Sequence, residues 1–69
     1  MNRKSVESIR KAYPAGTRLC LNRMDDIQAP PPGTEGSVVI VDDAGQIHMK
    51  WDNGSSLALI IGEDDFDFA

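Results

Sequence analysis

A chain of 69 residues with a net charge of −4 and a single cysteine is close to the smallest that supports a core without disulfides or a structural metal. Cys20 has no second cysteine to bond, and one cysteine with one histidine cannot complete a zinc site. No metal or cofactor is therefore expected, and stability rests on apolar burial, with assembly into a homodimer as one way of adding to it. The longest apolar run, residues 57–61, falls far short of the ~20 residues that cross a bilayer, so no membrane span is expected. A lone cysteine suits a reducing compartment, and the expected location is the cytoplasm.

The charge is unevenly divided. Up to Arg23 the cations Arg3, Lys4, Arg10, Lys11, Arg18 and Arg23 face Glu7 alone, whereas from Met24 onward Lys50 is outnumbered by ten carboxylates. An acidic body repels phosphate backbones, which favours proteins over nucleic acids as partners. The basic head keeps nucleic-acid binding as the second choice.

Residues 4–13 read as a short amphipathic helix. Val6, Ile9 and Tyr13 share one face, Ser5 is the expected N-cap, and Glu7 is placed in the first turn, where the helix dipole favours an anion. Pro14 and Gly16 end it. Two turns of helix do not persist alone in water, so this face must dock on something. The period then changes to two. Leu19 and Leu21 point one way in a first strand, with Cys20 pointing the other.

Residues 22–36 have no period and read as one long, ordered loop stiffened by Pro30, Pro31 and Pro32, the kind of segment in which binding is often found. The Pro-Gly-Thr-Glu-Gly run at 32–36 reads as a turn entering a strand. It lacks the lysine and following helix of a phosphate loop. Residues 37–41 are apolar on both faces, the mark of a strand covered twice or bent at a bulge. After a turn at 42–45, Ile47, Met49 and Trp51 point inward and Gln46, His48 and Lys50 outward. Asn53-Gly54 is the strongest hairpin signal in the chain, returning a fourth strand over 56–60. Phe66 and Phe68 alternate in a fifth strand and are expected to close the core.

One helix and five short strands, with the long loop after the first strand and tight turns after the second and third, predict a mainly β fold. The expected architecture is a small SH3-like five-stranded barrel over residues 16–69 with a short N-terminal helix, all in one domain. A sheet that closes on itself also removes exposed edges.

The residues from Tyr13 to Phe68 resemble an uncharacterised family of short domains from bacteria, phages and mobile elements. The resemblance lies in Tyr13-Pro14-x-Gly16-Thr17-Arg18, Met24-Asp25-Asp26, residues 31–36 (PPGTEG), Gly45-Gln46-Ile47-His48 and, above all, residues 50–59 (KWDNGSSLAL), followed by Gly62 and an acidic, aromatic end. The family usually carries arginine or valine where this chain has Cys20, and often proline near Ile61. The resemblance implies an SH3-like fold and supplies no substrate.

No nucleophile, base and orienting partner come together in the sequence, so no catalytic residue is assigned. Asp25, Asp26 and Glu35 are too few and too poorly spaced for a metal site. The expected role is a binding or accessory module acting through protein–protein contact. Its candidate surface is Tyr13, Asp25, Asp26, Pro31, Pro32, Glu35 and Trp51. Trp51 has two readings, as a core residue by alternation or as a rim residue beside Tyr13 and the proline loop. Two rival functions stay open: nucleic-acid binding through the basic head, and inhibition of a host nucleic-acid enzyme by an acidic protein of a phage or mobile element, with Asp64, Asp65 and Asp67 in contact.

Overall fold

The computed structural model describes residues 3–69. In chain order the elements are α1 (Arg3–Ala12), β1 (Arg18–Arg23), β2 (Glu35–Val41), β3 (Gln46–Trp51), β4 (Leu59–Ile60) and β5 (Asp65–Phe68). The strands form one antiparallel sheet in the order β4-β3-β2-β1-β5.

The core follows the period-two reading closely. Leu19 and Leu21 of β1, Ile47, Met49 and Trp51 of β3, Val38 and Val41 of β2 and Leu59 of β4 form one buried cluster. The doubly apolar stretch of β2 is resolved by a bulge. Its register against β3 slips between Val38 and Ile40, so Val38 and Val41 both turn inward although three residues apart, and Val39 and Ile40 are left exposed. A bulge inserts an extra residue and re-aims those after it.

The helix docks on its own sheet. Val6 is buried, Ile9 and Tyr13 pack against the core, and the Arg10 Nε–H donates to the Val41 carbonyl at 3.1 Å. The same guanidinium reaches Glu7 at 3.0 Å and Asp43 at 2.7 Å. Ser5 is not the cap, because the helix already runs from Arg3 and has no acid in its first turn. Beyond it, Thr17 donates its N–H and its Oγ1–H to the Pro14 carbonyl, which turns the chain into β1.

Two expectations fail at the far side of the sheet. The segment at 56–58 is not strand, and β4 is only Leu59–Ile60, paired with Ile47 and Gln46. A two-residue turn at Asn53-Gly54 would need positive φ at both positions, but only Gly54 has it, at +93°. The turn therefore has three residues. The Gly54 N–H donates to the Trp51 carbonyl and the Trp51 N–H to the Ser55 carbonyl, each at 3.0 Å. The chain then leaves the ladder because the indole N–H of Trp51 captures the Leu57 carbonyl at 2.9 Å.

The second correction concerns closure. β4 and β5 are the two ends of the sheet, with no ladder between them. The turn joining them is tight, with the Glu63 and Asp64 N–H groups donating to the Ile60 carbonyl. The Asp64 carboxylate meanwhile accepts from the Ile60 N–H at 2.7 Å. That turn consumes the β4 backbone that a closing ladder would use. Nor do both terminal aromatics fill the interior. Phe66 packs on the core, while Phe68 is 63% exposed and is stacked by Tyr13.

Candidate interaction surface

The long loop is held in shape by its own hydrogen bonds. The Asp26 carboxylate accepts the Gln28 N–H at 2.8 Å, and its carbonyl accepts the Ala29 N–H at 3.0 Å. An aspartate bonding two residues ahead is a turn-former of the Asx kind. Pro30 is buried. The Pro31 carbonyl takes both the N–H and the hydroxyl of Thr34, and Gly33 adopts φ +90° while its N–H reaches the Leu21 carbonyl at 2.7 Å. At the tip of this ordered loop stands Ile27, 102% exposed. Nothing among the described residues covers it.

Beside the loop lies an open cleft of about 390 Å³ lined by Arg23, Asp25, Gly62, Glu63, Asp64 and Asp65. It lies between the start of the loop and the β4–β5 turn, and its four carboxylates face one guanidinium.

The seven residues singled out in the sequence do not form one patch. Asp25, Asp26, Pro31 and Pro32 are exposed together on the loop. Tyr13 belongs to an aromatic corner, edge-on to Phe66 at 5.7 Å and stacked on Phe68 at 5.5 Å. Glu35 lies on the outer sheet face beside Arg18, whose guanidinium makes a two-pronged pair with Asp52 and also bonds the Ser37 hydroxyl. Trp51 is only 1% exposed; of its two readings the core one holds, because alternation turns it inward with Ile47 and Met49 and its indole N–H is taken. Ile27 was absent from the sequence reading. Its signal was an isoleucine flanked by Asp25-Asp26 and Gln28 inside a segment with no apolar period.

The basic head is divided, with Arg3, Lys4 and Lys11 lining one open cleft along α1. Arg10 and Arg18 are held by carboxylates, and Arg23 faces the acidic cleft. Arg3, Lys4 and Lys11 make no ion pair among the described residues.

Asp42 organises the β2–β3 turn. The His48 Nε2–H donates to one carboxylate oxygen at 2.8 Å, and the Gln46 and Ala44 N–H groups donate to the other at 2.9 Å each. An ionised carboxylate only accepts, so the proton of this contact sits on Nε2. The His48 hydrogen bond, followed by that from Gln46, lowers the Asp42 pKa below the ordinary 3.8, and the Arg18 pair lowers that of Asp52. A depressed carboxyl adds stability that is full above its unfolded value and is lost as pH falls through the folded one. Through these two groups, stability to urea should therefore fall as pH drops below about 4. Asp42→Asn should flatten that acid limb, and an unchanged limb would show that the turn carries no pH dependence.

Among the described residues no group of three or more His, Cys, Asp or Glu is arranged to hold a metal ion. No helix among them is long and apolar enough to cross a membrane. No curated protein and no solved structure matches the chain. Residues 2–69 match the model of one family, and the chain thus belongs to the family described as a domain of unknown function, DUF4314.

Proposed function

We propose that this chain is a small protein-recognition module without chemistry of its own. Ile27 is its apolar contact, and Asp25, Glu63 and the cleft around Arg23 form its acidic rim. The observation that carries this reading is the full exposure of Ile27 on a loop whose shape is already set by hydrogen bonds. A pre-ordered loop loses little entropy when it docks, and an isoleucine left uncovered by the described residues gains by burial in a partner. The engagement of Arg10 and Arg18 in internal pairs supports protein over nucleic acid as the partner.

The fold belongs to this proposal in its finer form. Antiparallel order β5-β1-β2-β3-β4, with the longest loop between β1 and β2, supports an SH3-like barrel left open at one seam. The proposed setting is the cytoplasm of a bacterium or a phage-infected cell, in keeping with the single unpaired cysteine.

Ile27→Asp tests the reading. A fully exposed position should leave folding stability within about 0.5 kcal/mol of the parent, checked by urea unfolding. In affinity capture from a bacterial lysate, proteins retained in near-equal amount by the parent should be lost by the variant. Retention of nucleic acid alone, or equal retention by both proteins, would overturn the proposal.

A further inference from the structure

β5 is an edge of the sheet and, among the described residues, pairs with β1 alone. The register sets Cys20 opposite Asp67, and the Ala69 N–H donates to the Arg18 carbonyl at 3.0 Å. In an antiparallel ladder alternate residues turn their backbone groups to the same neighbour. Asp67 and Ala69 therefore face β1, and Phe66 and Phe68 direct their N–H and C=O groups to the open side. The other edge, β4, has two residues and offers almost no ladder.

The side chains of β5 alternate in kind as well as direction. Phe66 and Phe68 lie opposite Leu21 and Leu19 on the core face, and Tyr13 extends that apolar surface to the exposed Phe68 ring. Asp65 and Asp67 lie on the other face, both exposed, both accepting from the Asn22 amide. A second copy pairing antiparallel with this edge would set aspartate against aspartate in the registers of greatest overlap. Like charges directly opposite are unfavourable, so the edge rejects its own kind. The same pattern suits an incoming strand with Lys or Arg opposite the aspartates and apolar side chains over the Phe68–Tyr13 step.

We infer that β5 is a strand-addition site that takes an extended segment of a partner protein, antiparallel, with basic and apolar residues in alternation. This rests on the reading of the chain as a protein-recognition module and adds a second contact, which borders the acidic cleft through Asp65. Main-chain hydrogen bonds to Phe66 and Phe68 supply the affinity, and the Asp/Phe alternation supplies the selection.

The test uses the full chain and a capped peptide of about nine residues alternating lysine and valine, followed by amide hydrogen exchange. Exchange at Phe66 and Phe68 should slow by about tenfold when the peptide is bound. A peptide N-methylated at its valines, the residues opposite Phe66 and Phe68, should give no such slowing. Asp65→Asn with Asp67→Asn, which preserves size and the contact with Asn22, should weaken binding by about two- to thirtyfold for two cross-strand charge pairs. Asp65→Lys with Asp67→Lys should switch the preference to a glutamate–valine peptide. Binding without slowed exchange at Phe66 and Phe68 would mean attraction to the acidic body in general and would overturn the inference, as would equal binding of the N-methylated peptide or none at all. Ile27→Asp should leave the slowing intact. If it does not slow while Ile27 still governs capture, strand addition fails and the recognition reading stands; if it slows while Ile27 proves irrelevant, the reverse holds.

Discussion

Trp51→Ala should leave the chain unfolded, or nearly so, at ambient temperature. Trp51 is the largest fully buried side chain, at the end of β3 in the middle of the core cluster. Truncating a buried aromatic to alanine costs about 3–5 kcal/mol through lost transfer energy and the cavity left behind. A domain of this size has a total stability of about 3–10 kcal/mol. The indole also fastens the stretch between the β3 turn and β4 through its bond to the Leu57 carbonyl, so the substitution frees that stretch and orphans a partly buried acceptor. Trp51→Phe is the milder change. It keeps a six-membered ring in the core while removing the N–H donor and the five-membered part of the indole, and should cost about 1–3 kcal/mol. Urea unfolding followed by circular dichroism measures both. A well-folded alanine variant with a midpoint near the parent's would contradict the central place given to this ring.

The second large effect is expected at Gly36→Ala, on the strand facing Trp51. Gly36 is buried at the start of β2 and pairs with Trp51 across the ladder. A Cβ built there would lie 2.7 Å from the Trp51 Cε3 atom and 2.9 Å from the Lys50 carbonyl oxygen. One neighbour is a fully packed ring and the other is backbone, so neither yields cheaply. Glycine is required here by close approach and not by an unusual φ. Overpacking of this kind costs about 1–3 kcal/mol, which would appear as a lowered urea midpoint. Combining Gly36→Ala with Trp51→Phe should be non-additive, because the two positions share one contact. Simple additivity would show that the clash is relieved elsewhere.

Much of the fold was legible because period-two alternation is a direct record of which side of a sheet is dry. Alternation points Ile47, Met49 and Trp51 inward and sets Leu19 and Leu21 on one common face, and all five are buried. The doubly apolar residues 37–41 allowed either a strand covered twice or a bulge, and the bulge is the one found. The helical face of Val6, Ile9 and Tyr13 predicted a docking that the sheet provides. What escaped the sequence was decided by single backbone contacts. Asn53-Gly54 promised a two-residue turn, but Asn53 keeps negative φ and the Leu57 carbonyl goes to an indole, so β4 shrinks to a pair of residues. With so little β4, a ladder that would have closed the barrel has nothing to pair with. The candidate surface was half legible. Loop composition pointed to Asp25, Asp26, Pro31 and Pro32, while Ile27 carried no period by which its exposure could be read. Trp51 looked ambiguous only because aromatics serve rims and cores alike.

The contact between Tyr13 and Phe68 has a consequence for how the chain comes together in time. It ties the end of α1 to the end of β5, and β5 in turn pairs with β1, the first strand made. β1 therefore keeps one side of its backbone open, and Tyr13 at the end of α1 lacks both of its ring partners, until residues 65–68 arrive. Contacts between distant parts of a chain make folding slow, since the intervening loop must be closed before they form. During synthesis the β2–β3 hairpin can assemble early, but the helix and the first strand wait for the last one. The domain is completed only once its final strand has left the ribosome.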